Sequence, residues 1–255
     1  MLAAAALALA YPVGSYLSLP STRDLARLAW RTPTQSALMR QRVEEAREDG
    51  RRLAIRWRFV PLSRISPFLQ HAVILGEDQN FWRHHGVDWA ATREVIWTAL
   101  RTLHLGRGAS TLTQQLVRNL YLSQSRSIVR KADEWVLATR IEKVLPKTRI
   151  LALYLNFAEW GDGVFGAEEA AEVHFGKTAA ALSPGEAVVL AAMLPSPHER
   201  DPARPTAALR AHAFKIADFM ADAGYVPRAT LRAEVAQIVG SPGRRRRAAK
   251  QRRLP

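Results

Sequence analysis

The chain has 255 residues, of which 48% are hydrophobic and 24% charged, as in an ordinary folded protein of one domain, or one domain with tails, that buries a sizeable core. Its net charge of +14 is unusual and indicates an anionic partner, which is nucleic acid, anionic lipid or a phosphorylated substrate. The lack of cysteine excludes disulfides, thiolate catalysis and cysteine metal sites.

The N-terminus is apolar from Met1 to Leu19, with no charged residue before Arg23. A helix of this length spans about 28 Å, close to the thickness of a hydrocarbon core, so we expect a transmembrane anchor over 1–19. A cleaved signal peptide and a buried helix stay open as alternatives. A signal peptide requires a Lys or Arg before its apolar run, and this chain has none there. Residues 20–52 are predicted to form a linker and a charged helix over Gln41–Glu48.

Apolar residues alternate with polar ones over Leu53–Phe59, which predicts a short strand that ends at Pro61. Helical patterns dominate afterwards, so residues 53–239 are predicted to form one mainly α domain. Ser183–Glu186 has the pattern of a capping box with Pro184 at the first helical position, and the apolar helix after it is typical of a core. The predicted helices run over about 67–77, 88–104, 111–122, 127–145, 147–157, 165–174, 184–194, 206–223 and 227–238.

The C-terminal residues 240–255 hold seven of the cations and no acid. Such a run of like charge is typical of a disordered segment, so we predict a basic disordered tail. Without it the rest of the chain is only moderately basic.

The first polar block, residues 77–86, begins with the adjacent carboxylates Glu77 and Asp78. Glu77 follows the apolar run 72–76 and so ends a half-buried helix, where loss of water raises the pKa of a carboxyl toward the range of a general base. The alternative is a solvated acidic helix end that His84 caps. Phe81 and Trp82, within the same block, are more typical of a core than of a substrate platform.

The second polar block, residues 106–115, is a glycine-bearing loop that enters a helix carrying Arg118. We expect Ser110 to be the N-cap, which would leave backbone N–H groups and a favourable helix dipole for an anion. The block is neither a Walker A loop nor a dinucleotide fingerprint, because it has no Gly-Lys-Ser/Thr ending and no preceding strand. An ordinary capped loop is the alternative.

The third block places Arg130, Lys131 and Glu134 within one turn of a predicted helix. Oppositely charged residues three or four positions apart on a helix usually form an ion pair on its exposed surface. The order with Arg before Glu is the less favourable one for such a pair. The pattern alone therefore does not make Glu134 catalytic.

Taken in order, these blocks resemble the glycosyltransferase family of bacterial peptidoglycan polymerases over about residues 61–197. The segment Glu159–Gly166 and Ala109 are similar to the monofunctional branch, whose domain is also the N-terminal domain of bifunctional penicillin-binding proteins. The motifs that carry the resemblance are Glu77-Asp78-x-x-Phe81-x-x-His84-x-Gly86, Gly108-Ala109-Ser110-Thr111-x-Thr113-Gln114-Gln115, Arg130-Lys131-x-x-Glu134 and Lys147-x-x-Ile150-Leu151-x-x-Tyr154-Leu155-Asn156.

The resemblance implies a mainly α, lysozyme-like glycosyltransferase domain with an N-terminal membrane anchor helix. The protein would cross the inner (cytoplasmic) membrane once and hold its catalytic domain in the periplasm. It would polymerise peptidoglycan from lipid II by inverting transfer of the growing chain to the GlcNAc 4-hydroxyl, with release of polyprenyl pyrophosphate. We expect no transpeptidase activity, because the chain contains neither Ser-x-x-Lys nor Lys-Thr-Gly.

The resemblance also implies roles for individual residues. Glu77 would be the general base, and Glu134, also assigned to the catalytic set, would help to position the acceptor or the leaving group. Arg118 stands where the family usually has Lys; it can grip pyrophosphate bidentately but cannot donate a proton at neutral pH. The implied substrate-binding residues are Asp78, Phe81, His84, Ser110, Thr111, Thr113, Gln114, Gln115, Arg118, Arg126, Arg130, Lys131 and Asn156.

No metal site and no required cofactor are expected, with a divalent cation (Mg or Mn) at the pyrophosphate left open. The expected partners are lipid II, the nascent glycan strand and membrane lipids, while contacts with the divisome or other cell-wall synthases stay open. Two rivals remain. One is a peptidoglycan hydrolase or lytic transglycosylase on a similar fold, and the other is a basic nucleic-acid or membrane-binding protein, although we expect no nucleic-acid partner.

Overall fold

The computed structural model describes residues 12–102, 110–125 and 127–240. Residues up to 53 and 80–157 form a first compact unit, whereas 54–79 and the residues from 158 onward form a second. The single domain that the sequence predicts over 53–239 draws residues from both units. The first unit also takes in the expected linker and charged helix.

The described residues are mainly helical, as predicted, and residues 12–18 are also helical. In chain order the α-helices are α1 (Thr22–Ala26), α2 (Ala37–Glu48), α3 (Pro67–Glu77), α4 (Trp89–Thr102), α5 (Leu112–Tyr121), α6 (Ile128–Glu142), α7 (Lys147–Phe157), α8 (Ala167–Phe175), α9 (Pro184–Met193), α10 (Ala207–Asp222) and α11 (Arg228–Val239). The strands are β1 (Arg56–Trp57), β2 (Glu159–Gly161) and β3 (Val164–Phe165).

The first unit is built around α5, which packs against α2, α6 and α7. Helix α5 turns one strongly apolar face inward, and Leu112 and Leu116 on that face are fully buried. Helix α7 is buried along its length from Ile150 to Phe157. These two helices therefore form the rigid support on which the polar motif residues of this unit are placed.

The N-terminal residues of the described chain lie along α6 in the same unit. The Ser15 hydroxyl donates a hydrogen bond of 2.5 Å to Asp133, and the Arg140 guanidinium lies 4.9 Å from the centroid of the Tyr16 ring. Arg140 also donates to the Pro20 carbonyl at 3.1 Å. The last residues of the predicted anchor, together with Pro20, are thus fixed to the helix that carries the third motif.

The second unit has α9 at its centre, packed against α3, α10 and α11. Ser183 and Glu186 form the predicted capping box, Pro184 begins the helix, and every residue from Ala187 to Met193 is buried, which confirms the prediction of a core helix. Gly185 allows α11 to approach, because a Cβ there would lie 2.6 Å from the Cβ of Glu234.

A small three-stranded sheet with the order β1-β3-β2 completes the second unit. Strand β1 is parallel to β3, with Arg56 opposite Val164, whereas β2 runs antiparallel to β3. The sequence predicted β1 as the longer strand Leu53–Phe59; the alternation of half-buried and exposed residues extends over 53–59, but the paired strand is only Arg56–Trp57. The β2–β3 hairpin was not predicted.

The described residues contain no helix that is long and apolar enough to cross a bilayer. Most of the predicted anchor, residues 1–11, and nearly all of the predicted basic tail, from residue 241, lie outside the described residues. So do residues 103–109, which include the glycine-bearing part of the second polar block, residues 106–109.

Candidate active site

Glu77 is the last residue of α3, as the sequence predicts, and it is half-buried. Asp78 caps the helix, and its N–H donates a hydrogen bond of 2.8 Å to the Ile74 carbonyl while its side chain is buried. The last turn of α3 packs tightly on α10, because a Cβ on Gly76 would come within 2.8 Å of the Ile216 side chain. Packing of the second unit therefore fixes the backbone that carries the two carboxylates.

The rest of the first motif belongs to the first unit and forms a tight turn on α6. Gly86 has a φ of +91°, and a Cβ there would lie 2.5 Å from the Ala138 carbonyl oxygen, so only glycine fits. Phe81 is fully buried whereas Trp82 is exposed, which divides the two aromatic residues between core and surface.

Thr111, and not Ser110, is the N-cap of α5, so the prediction for Ser110 is wrong. The Thr111 hydroxyl accepts from the Gln114 N–H at 3.1 Å, and the Gln114 side chain accepts from the Thr111 N–H at 3.0 Å. This reciprocal capping box needs Gln or Glu three residues after the cap, which Thr111 has and Ser110 lacks. The Thr111 hydroxyl also donates to the Gly86 carbonyl at 2.6 Å, joining the first motif to the second.

The buried Glu134 carboxylate joins the second and third motifs. Its side chain is 1% exposed, and it accepts hydrogen bonds from Arg130 Nη1 at 2.5 Å, from Gln114 Nε2 at 3.1 Å and from Lys131 Nζ. Lys131 Nζ also donates to Ser110 Oγ at 2.8 Å. We call these five residues, Ser110, Gln114, Arg130, Lys131 and Glu134, the charged cluster. Its carboxylate is buried, whereas spacing alone suggested an ion pair exposed on the helix surface.

Both Glu134 oxygens are occupied by charge-assisted hydrogen bonds, which suits a carboxylate that holds cations in place. Removing one partner of such a buried ion pair leaves an uncompensated charge and is strongly destabilising. The arrangement therefore makes Glu134 an organiser of Arg130 and Lys131.

Two arginines among the predicted substrate-binding residues have a buried hydrogen-bond donor without a partner. Among the described residues, the Nε atoms of Arg118 on α5 and of Arg130 on α6 are buried and have no hydrogen-bond partner. Buried polar groups are normally satisfied, so two unsatisfied guanidinium donors in motif residues indicate a site for an acceptor-rich ligand.

A second polar network lies in the same unit and was not predicted from the sequence. Glu142 Oε1 accepts from Thr113 Oγ1 at 2.6 Å and from Lys147 Nζ at 2.7 Å. Lys147 Nζ lies 3.5 Å from His84 Nδ1 and 4.6 Å from the centroid of the Phe81 ring. Lys147 opens the fourth motif and could have been noticed there, but no local pattern marks Glu142.

The remaining predicted residues are placed as follows. Gln115 accepts from the Tyr154 hydroxyl at 3.0 Å, Asn156 donates to the Ala152 carbonyl at 2.7 Å, and Arg126 lies outside the described residues. Four of the side chains predicted to bind substrate are fully buried in this structure: Phe81, Thr113, Gln114 and Asn156.

The described ranges contain no group of three or more His, Asp or Glu side chains placed to hold a metal ion. The donor set of the charged cluster also does not suit a metal, since ammonium and guanidinium groups surround its one carboxylate.

Comparison with known proteins identifies the class. The model of the Transglycosylase family matches residues 49–221, more than half of the chain, so the chain belongs to this family.

The relatives that it matches include proteins named biosynthetic peptidoglycan transglycosylase. The one from Bordetella pertussis is 50% identical over 182 residues, covering 70% of this chain and 75% of the relative. Those from Rhodospirillum centenum and Nitrosospira multiformis are 45% and 42% identical, covering 75% and 68% of this chain and 80% and 76% of the relatives.

Proposed function

We propose that this protein polymerises the glycan strands of peptidoglycan from lipid II. The growing strand, held as its polyprenyl pyrophosphate, is the donor, and the GlcNAc 4-hydroxyl of a new lipid II is the acceptor. Attack of that oxygen on the anomeric carbon forms a β-1,4 bond with inversion and releases polyprenyl pyrophosphate. Family membership and the names of the relatives support the reaction, and we assign residues 53–239 to the glycosyltransferase domain.

Glu77 is the general base in this proposal and takes the proton of the acceptor hydroxyl as the new bond forms. A base must combine a fixed position with access to substrate. Glu77 is half-buried, and its backbone is fixed by the packing of α3 on α10. The neighbouring Asp78 is buried and caps the helix, so we assign it the support of that backbone.

The charged cluster and Arg118 bind the leaving pyrophosphate, and the unsatisfied Nε donors of Arg118 and Arg130 are the observation that supports this assignment. Arg130 and Lys131 bring two positive charges against the single negative charge of Glu134, so an excess of positive charge remains for phosphate oxygens. Preorganised donors aimed at developing charge are usually the largest single contribution to catalysis. Glu134 acts here as a positioning residue.

The proposed reaction needs no resident cofactor. A Mg²⁺ or Mn²⁺ ion would have to be held mainly by the pyrophosphate, since the charged cluster is rich in cations, and no step depends on it. Turnover that survives EDTA would support this; turnover restored only by added cation would contradict it.

We propose that the protein works at the inner membrane, anchored by its N-terminal residues, with its catalytic domain in the periplasm, where it could meet other cell-wall synthases. Helix α4 supports a position at a lipid surface. Trp89, Arg93, Trp97 and Arg101 recur every four residues on one exposed face, and Trp89 and Trp97 are 59% and 57% exposed. Alternating Trp and Arg side chains suit an interface with anionic lipid.

The test is turnover of labelled lipid II by the purified protein, with polymer, remaining lipid II and cleaved fragments separated. We expect polymer from the wild type and a loss of about a hundredfold or more in Glu77→Gln, which keeps the shape of the side chain but removes the base. Glu48→Gln is the matched control, since Glu48 is also the last residue of a helix, α2, and is exposed.

The outcome separates polymerase from hydrolase. Fragments without polymer would favour the hydrolase or lytic transglycosylase, which needs no site for a leaving pyrophosphate. Near-normal polymer formation by folded Glu77→Gln protein would remove the role of Glu77.

A further inference from the structure

We propose that Glu142 and Lys147 are positioning residues that hold the His84 turn and the start of α5 in the arrangement that the transfer reaction needs. The inference rests on the proposed function and adds two residues that the predicted site does not include.

The first step is the geometry of the contacts. Glu142, the last residue of α6, binds Thr113 in the first turn of α5 and Lys147, the first residue of α7, through the same carboxylate oxygen, at 2.6 and 2.7 Å. Lys147 then reaches the turn of the first motif, 3.5 Å from His84 Nδ1. The Glu142–Lys147 ion pair thus links the end of α6 and the starts of α5 and α7 to the turn that carries His84.

The second step is the position of these Glu142 contacts relative to the charged cluster. Consecutive residues of α5 point to the two networks, since Thr113 binds Glu142 while Gln114 binds Glu134. A shift of the first turn of α5 would therefore move Gln114, and with it the carboxylate that holds Arg130 and Lys131. Small misplacements of this kind lower the rate of a reaction without abolishing substrate binding.

The third step is burial. The Glu142 and Lys147 side chains are 5% and 17% exposed. A buried ion pair is weak evidence for stability, because an apolar pair of similar size often serves as well, but loss of one partner leaves a buried charge. Removal of one charge should therefore affect both stability and the positions of the motif residues, whereas removal of both charges should affect mainly those positions.

The variants are Glu142→Gln, Lys147→Met and the double variant. Arg149→Met is the matched control, because Arg149 lies two residues after Lys147 on α7 and donates hydrogen bonds to Leu28 O at 2.7 Å and Thr32 Oγ1 at 3.2 Å, away from the motif residues. The thermal unfolding midpoint of each protein is measured. Its kcat and KM with lipid II are measured at a temperature well below the lowest of these midpoints.

Each single variant should lower both the midpoint and kcat, with kcat falling at least tenfold and KM changing less than threefold. The double variant, which leaves no unpaired charge, should recover most of the midpoint but keep the low kcat, because the link to His84 is still missing. Arg149→Met should lower the midpoint and leave kcat within twofold of wild type.

A purely structural role predicts that kcat recovers together with the midpoint in the double variant, and that result would overturn the inference. Single variants with kcat within twofold of Arg149→Met would do the same. If the single variants do not fold, the double variant and Thr113→Val, which deletes only a hydroxyl, decide the question by the same criterion.

Wild type and Glu77→Gln are assayed alongside. Wild-type protein that makes no polymer would refute the proposed function itself. Active wild type with a fully active double variant would refute only the positioning role.

Discussion

Replacing Gly86 by Ala should destabilise the first unit far more than one methyl group normally does. The added Cβ would lie 2.5 Å from the Ala138 carbonyl oxygen and 2.7 Å from its carbon, and both atoms belong to the backbone of α6, which cannot turn aside. The residue would also keep a φ of +91°, which L-residues rarely adopt.

The two costs can be estimated separately. A left-handed conformation costs a non-glycine residue about 1–2 kcal/mol, and overpacking against a fixed neighbour typically costs about 1–3 kcal/mol. Together they amount to about 2–5 kcal/mol, a large part of the roughly 5–15 kcal/mol that stabilises a typical protein.

The assay is the free energy of unfolding from denaturant titration, with Gly50→Ala as the control. Gly50 lies in the same unit with a φ of +70°, but a Cβ added there would meet no atom within 4 Å, so its substitution carries the conformational cost alone. The two variants should therefore differ by about 1–3 kcal/mol. Equal losses of unfolding free energy in the two variants would show that the backbone of α6 can move aside, and that the turn is not fixed by its contact with Ala138.

Three further outcomes are expected. Arg118→Lys should keep most of the polymerisation rate whereas Arg118→Ala should lose it, because the site needs a cation there; a dead Arg118→Lys beside an active Arg118→Ala would contradict the role in binding pyrophosphate. The Ala91 N–H and the Asn80 amide hold the pKa of Asp88 below its ordinary value of about 3.9, so its contribution to stability is present above that pH and is lost as pH falls through the lowered pKa. The stability difference between wild type and Asp88→Asn should accordingly shrink in acid, and a constant difference would argue against an ionised Asp88. Trp97→Ser should weaken co-sedimentation with anionic vesicles, and equal binding would show that this face of α4 does not meet lipid.

The sequence predicted the helices better than the strands, for a physical reason. Helix α9 is marked in the sequence by a capping box, a proline at its first position and a continuous apolar run. Strands β2 and β3 are only three and two residues long, which is too short for alternation to become visible. The dipeptide Asp162-Gly163 between the strands was a local sign of a hairpin, and Gly163 has a φ of +70°.

The candidate site was predictable as a set of residues but not as a network. The family resemblance singled out Gln114, Lys131 and Glu134. Spacing alone suggested an exposed ion pair, where the structure has a buried carboxylate that holds both cations. Whether a helix face is buried depends on the helices packed against it, which spacing along one helix cannot tell. Glu142 was missed for the same reason, since its partner Thr113 lies 29 residues earlier in the chain.

The discontinuous make-up of the second unit has a consequence for biosynthesis. Helix α3, whose last residue is Glu77, packs on α9 and α10, which follow it by more than a hundred residues. While the chain is being made, α3 is complete long before its packing partners exist, and the whole stretch 80–157 is synthesised in the interval. During this interval α3 exposes the apolar face of Leu69, Ala72 and Val73, which is buried in the finished protein. Until α9 and α10 have been added, that face is a place where a chaperone would bind and where a truncated chain would aggregate.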